Sequence, residues 1–207
     1  MEGQIRSIEV CDNAQIVMRV YETFCEILIN EPNRDIVRLG LNLLSYFDIE
    51  SKSEVSSSEL AQIYYDRFFI TSSPVFVPST ENAIRHGRKS PVGQMFGAAC
   101  GKYSYRVEAW YHTIGFDYRA LKGFEPIIQT LQPDSLISEI GFLAFLKMQE
   151  CLNAEDSAYY QEAYRTFLKN HIAIWVEDYA KLASAKGDDL YASVIQCLTI
   201  FILAEAA

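Results

Sequence analysis

Gln132-Pro133-Asp134-Ser135-Leu136-Ile137-Ser138-Glu139-Ile140-Gly141-Phe142-Leu143-Ala144-Phe145-Leu146-Lys147-Met148-Gln149-Glu150 reads as a helix with a marked beginning. Pro133 sets the chain up for a helical start, and Asp134 or Ser135 can cap the free N–H groups of the first turn. Leu136, Ile140, Leu143 and Met148 fall near one face. Phe142, Phe145 and Leu146 widen that face, so the helix is expected to be mostly buried. Asp134, Ser135 and Glu139 then sit at its positive end, beside the core. Such an end can bind an anion or hold a polar loop in place. On local grounds alone an ordinary cap accounts for these residues.

The chain around this helix has 207 residues, half of them apolar and 13% aromatic, enough for a sizeable core. Its length predicts one all-helical domain over 1–207, with an N-terminal half (about 12–125) packed on a C-terminal half (about 130–207). The net charge of -9 argues against nucleic acid or an anionic membrane surface as a partner, and favours a basic peptide. Cys11, Cys25, Cys100, Cys151 and Cys197 form no CxxC pair and read as reduced, buried, small side chains of a cytoplasmic protein. The N-terminus lacks the features of a secretory signal. The apolar C-terminal segment, interrupted by Asp188, Asp189, Gln196 and Glu205, reads as a buried helix and not a membrane span.

Apolar spacing predicts helices over 13–30, 34–46, about 58–68, 91–115, 155–170, 171–186 and 190–204, with a short helix or turn over 121–131. Ser57 or Ser58 is placed to cap the third of the main helical segments after the polar loop 48–58. Gly115 and Gly187 are placed to end two others. Thr71 to Ser90 is the one long irregular segment, of the kind that is usually functional or mobile. Its Val75-Phe76-Val77 run has strand character but no partner strand. No segment alternates as a half-buried strand, so the fold class is all-α, a compact multi-helix bundle of antiparallel helices.

The chemistry expected of an enzyme is missing. There is no Gly-rich phosphate loop and no GxSxG. His86, His112 and His171 lack metal-pair spacing, and His112 and His171 read as capping or core histidines. No catalytic residue, metal ligand or cofactor is assigned. What remains is a binding protein. Tyr64, Tyr65, Phe68 and Phe69 cannot all face one side of a helix, so some are expected to line an apolar groove. A competing reading is a small-ligand or nucleotide site on the basic cluster Arg85-His86-Gly87-Arg88-Lys89.

Three patches, in order, resemble the TorD/DmsD family of redox-enzyme maturation chaperones, and more distantly NarJ. Tyr64-Tyr65-Asp66-Arg67-Phe68-Phe69 is similar to the family's aromatic-x-x-Leu-Phe helix end, with Phe68 in the Leu place. Val77-Pro78-Ser79-Thr80-Glu81-Asn82-Ala83 resembles its Pro-Pro-Tyr-Glu-Ser stretch, keeping Pro78 and Glu81. The segment from Gln132 to Leu143 resembles its Glu-Pro-Asp-His segment, with Gln132 for Glu and Ser135 for His. Phe167, Leu168, His171 and Trp175 are similar to a further Phe-Leu…His…Trp pattern.

The resemblance implies a TorD-like bundle and a cytoplasmic, client-specific chaperone. Its client would be a molybdenum-cofactor oxidoreductase. It would bind the twin-arginine signal peptide or the apoprotein until cofactor insertion is complete, before export. Asp134, Ser135 and Glu139, with Gln132 and Pro133, are expected at the basic end of the ligand. Tyr65, Phe68 and Phe69 are expected to form an apolar wall, and Pro78 and Glu81 to shape the loop over it. From Pro133 onward the chain carries 11 acidic and 5 basic side chains, so its acidity is concentrated in the half that holds this motif. The state expected is monomer or homodimer, without stable membrane insertion.

Overall fold

The computed structural model describes residues 2–50, 57–90 and 93–207, with side chains except those of 2–12 and 57. Among the described residues ten α-helices run in order: α1 Glu2–Ile29, α2 Arg34–Tyr46, α3 Ser57–Phe68, α4 Glu81–Arg85, α5 Lys102–Ile114, α6 Glu125–Thr130, α7 Leu136–Leu152, α8 Ser157–Asn170, α9 Ile172–Lys186 and α10 Leu190–Ala206. A 3-10 turn spans Tyr118–Ala120, and a small antiparallel hairpin joins β1 Arg88–Ser90 to β2 Gly93–Met95. The all-α class holds, and the hairpin is the only sheet among the described residues.

Helix α7 is the organising element because its apolar residues wrap its whole circumference. Leu136, Ile140, Phe142, Leu143 and Leu146 are all essentially inaccessible. It packs most extensively against α1 and then against α8. Helix α10 closes the core against α9 and α2, burying Val194, Ile195, Leu198 and Ile202. Local signals in the sequence set most ends. Asn33 Oδ1 accepts the Asp35 and Ile36 amides to start α2, and Asp189 does the same for α10. Gly115 adopts a left-handed φ of 85° and ends α5. Gly123 lies so close to the end of α1 that a Cβ there would meet Ile29 side-chain carbons at 2.7 Å. That contact lets Phe124 N–H reach Ile29 C=O at 3.0 Å.

Four expectations are corrected. The segment 71–90 is less irregular than its composition implies, since it contains α4 and β1. The helix expected from Pro91 begins only at Lys102, after the hairpin and a coil. Strand β2, paired with β1, lies where that helix was expected to run. Pro91 itself, Cys11, the Ser57 side chain and most of the polar 48–58 loop lie outside what is described. Among the described cysteines Cys197 is buried, Cys25 and Cys151 are half-buried, and Cys100 is exposed, against the expectation that all are interior. His112 is exposed as well, not a core residue. No helix among the described residues is long and apolar enough to cross a membrane.

Candidate functional site

The two loops singled out by the sequence, 78–82 and 132–136, meet in space. Glu81 N–H donates to Asp134 C=O at 2.9 Å and Leu136 N–H to Ser79 C=O at 2.8 Å, making an antiparallel bridge between Thr80 and Ser135. The capping residues divide their work. Ser135 caps its own helix, with Oγ accepting from Ser138 N–H at 3.2 Å. Asp134 instead reaches a different helix, its Oδ2 accepting the Asn82 amide of α4 at 2.8 Å. Thr80, the residue before α4, makes no side-chain cap, so Asp134 supplies it from 52 positions away. Pro133 C=O accepts the buried Tyr111 hydroxyl at 2.8 Å, which ties the same loop to α5.

Behind this junction lies a cluster of buried acids. Glu81, Asp134 and Glu139 each have zero exposure. Glu81 pairs through Oε1 with Arg85 and through Oε2 with His171 Nδ1 at 2.8 Å. Glu139 Oε2 accepts the Trp175 indole N–H at 3.2 Å. Asp134 Oδ1 and Glu139 Oε1 have no hydrogen-bond partner. Burial raises the Asp134 pKa above the usual carboxylate range, opposed by the Asn82 amide and the Ser104 hydroxyl. Burial, with the neighbouring Glu81 charge adding to it, pushes Glu139 well above that range. Its carboxyl is therefore held protonated to higher pH than an exposed glutamate.

In front of the junction is a groove of about 300 Å³. The end of α3 supplies Phe68 and Phe69, the following loop Phe76, Val77 and Pro78, and α6 Ile127 and Thr130. The stretch around the start of α7 adds Leu131, Gln132, Ser135 and Ile137. No charged side chain lines it. Its walls are aromatic and aliphatic, with hydroxyl and amide groups at a few points, the composition expected of a pocket for an apolar segment.

Of the predicted site residues, Phe68, Phe69, Pro78, Gln132 and Ser135 share this groove. Tyr65 stands beside it, its ring 5.6 Å from that of Phe69 and its hydroxyl bound to Glu31. Pro133, Asp134, Glu81 and Glu139 are interior. The expectation of carboxylates along the rim is thus corrected. Asp134 and Glu139 are consumed by the junction, because a helix start packed into the core has no solvent side. Sequence reasoning passed over Phe76, Ile127 and Leu131, which come from short or irregular segments without periodicity, and Ile137, which lies on α7 outside the apolar face singled out there. It also passed over Arg67, which is buried and joins α3 to the start of α10 through Asp189, Ala183 C=O and Gly187 C=O. The signal was available: a lone arginine between two pairs of aromatics. The basic cluster is only partly free, since Arg85 is engaged by Glu81. Among the described residues no group of His, Cys, Asp and Glu could hold a metal ion.

The helical body thus locks two loops over buried acids and leaves an uncharged groove beside them. The chain matches the nitrate reductase delta subunit family over residues 32–181, and it belongs to that family of NarJ/TorD-type chaperones. Its fold is similar to the crystal structure of a protein from Archaeoglobus fulgidus described as a redox enzyme maturation protein. The TM-score is 0.52 at 18% identity, over 90% of this chain and 93% of that one. Comparison with curated proteins finds no match.

Proposed function

We propose that this chaperone binds an apolar segment of an immature molybdenum-cofactor oxidoreductase in the groove and holds it until the cofactor is inserted. The segment that fits best is the twin-arginine signal peptide, bound in the cytoplasm before export, and no bond is made or broken. The observation that carries this reading is the convergence of Phe68 and Phe69, Pro78, and Gln132 and Ser135 on one uncharged groove from three separate parts of the chain. An apolar leader core loses water-exposed area there, at about 25 cal/mol per Å² of apolar surface. Ser135, Gln132 and Thr130 offer polar atoms to its backbone. The buried acids act by holding the groove wall in shape, and in this reading they do not touch the ligand.

Isothermal calorimetry with a synthetic leader, two arginines followed by roughly twelve apolar residues, tests it. Phe69→Ala and Phe76→Ala should each weaken binding about tenfold or more, as anchor residues in a groove do. Their circular dichroism should match the parent. Affinity unchanged in both variants, or no binding of leader or apoenzyme by the parent, would overturn the assignment.

A further inference from the structure

Between Asn82 and Val107 the chain contains Arg85, Arg88, Lys89, Lys102 and Arg106 and not one Asp or Glu. This stretch carries +5 in a protein of net -9, so all the rest carries -14. The fold concentrates these cations further. The Arg85 guanidinium lies 3.9 Å from the centre of the Tyr103 ring, Lys102 Nζ 5.5 Å and the Arg106 guanidinium 5.9 Å. The His86 ring sits 5.3 Å from the same ring. Only Arg85 has an acidic partner. Arg88, Lys89, Lys102 and Arg106 are exposed and make no ion pair among the described residues.

We infer that hairpin β1–β2 and the first turns of α5 form a docking surface for an acidic, extended segment of a partner protein. Like charges gathered around the Tyr103 ring repel, and carboxylates arriving there relieve that repulsion. The hairpin is two-stranded, so it keeps unpaired backbone edges to which an extended segment can add a strand. Lysine and arginine on such strands discourage pairing with a second copy while favouring an acidic one. Arg88 pairs with Met95 across the hairpin, placing a cation and a 44% exposed apolar side chain on one face. Tyr105, 66% exposed between Lys102 and Arg106, adds an aromatic contact. Alternating acidic and apolar side chains match this arrangement.

A phosphate ligand is a poorer fit. Amides at the start of α5 are already engaged, Gly101 N–H by Ser104 Oγ at 3.0 Å and Tyr103 N–H by Asn82 Oδ1 at 3.4 Å. A nucleic acid, longer and more highly charged, would meet repulsion from the -14 carried elsewhere.

The test uses the full chain and fluorescence anisotropy. The probe is a labelled peptide of roughly twelve residues alternating Glu and Val, beside its Gln-for-Glu counterpart. An oligothymidylate of equal length and phosphatidylglycerol vesicles serve as the other polyanions. The Glu peptide should bind at least about tenfold tighter than the Gln peptide, and more weakly as salt is raised. R88E/K89E and K102E/R106E should each reduce that binding about tenfold or more with unchanged melting temperature, since all four side chains are exposed. Phe69→Ala should leave it intact, which separates this surface from the groove. Equal binding of the Glu and Gln peptides, tighter binding of the oligonucleotide or vesicles, or charge-reversal variants that bind like the parent would overturn the inference.

Discussion

Two buried polar ties hold loops to helices in this protein, and they are built on opposite terms. At one, every nitrogen of Arg67 has a partner. Its Nε and one Nη reach Asp189, that same Nη also reaches Gly187 C=O at 3.1 Å, and the other Nη reaches Ala183 C=O at 3.1 Å. At the other, three inaccessible carboxylates share one arginine and one histidine, and two of their oxygens have no partner. The first is an anchor whose charges balance. The second is a closure with an excess of acid, whose stability depends on protons as well as on contacts. The groove lies beside the second, between α3, whose end the anchor holds, and the junction of loops 78–82 and 132–136.

Breaking the anchor should have the largest effect. Arg67→Ala leaves Asp189 with the Tyr191 and Ala192 amides but strips two backbone carbonyls and a buried cation, for a loss of about 3–5 kcal/mol in urea unfolding. Arg67→Lys should recover little, because an ammonium cannot span the three directions a guanidinium covers. A loss under 1 kcal/mol would mean that the two ties are equivalent after all.

Loosening the closure should cost less. Asp134→Ala frees the Asn82 amide, a cap loss of about 1 kcal/mol. It also removes an oxygen that had no partner. Hydrogen exchange should show the Asn82 amide opening faster, with Asp134→Asn restoring most of the protection. An amide equally protected in Asp134→Ala would show that the backbone bridge alone holds the two loops.

How much of this contrast was legible in the sequence depends on the range of the interactions. The start of α7, its all-round burial, the Ser135 cap and the Gly115 end follow from residue type and spacing within a turn or two. Of the groove-lining residues, Phe68 and Phe69 were reached from the crowding of four aromatics on one helix end, Ser135 as a cap, and Pro78 and Gln132 through motif resemblance. The depth of Asp134 and Glu139 was not legible, because a carboxylate at a helix start looks the same whether its neighbour is water or a loop 52 residues away. The hairpin was not legible because Arg88–Ser90 and Gly93–Met95 are too short to show an alternating pattern. The acid-free run from Asn82 to Val107 was plain in the sequence. Its meaning waited on Tyr103, around which the fold gathers the cations.

The smallest effect is the most specific to the closure. Glu139 has a pKa raised by burial and by Glu81, so the folded state binds its proton more tightly than the unfolded chain does. That contribution to stability is fully present below the ordinary glutamate range and is lost as pH rises through the raised folded value. The parent should therefore melt at lower temperature as pH is raised from the ordinary glutamate range through that raised value. Glu139→Gln keeps a carbonyl for the Trp175 N–H and presents an amide donor where the proton had been. It should be more stable than the parent by about 1 kcal/mol at the alkaline end of the window, with a flatter dependence on pH. The difference between the two pH profiles reads Glu139 together with the acids it faces, Glu81 and Asp134. Parallel profiles would mean that Glu139 is ionised in the folded protein and that the closure is held as a balanced cluster, no different in kind from the Arg67 anchor.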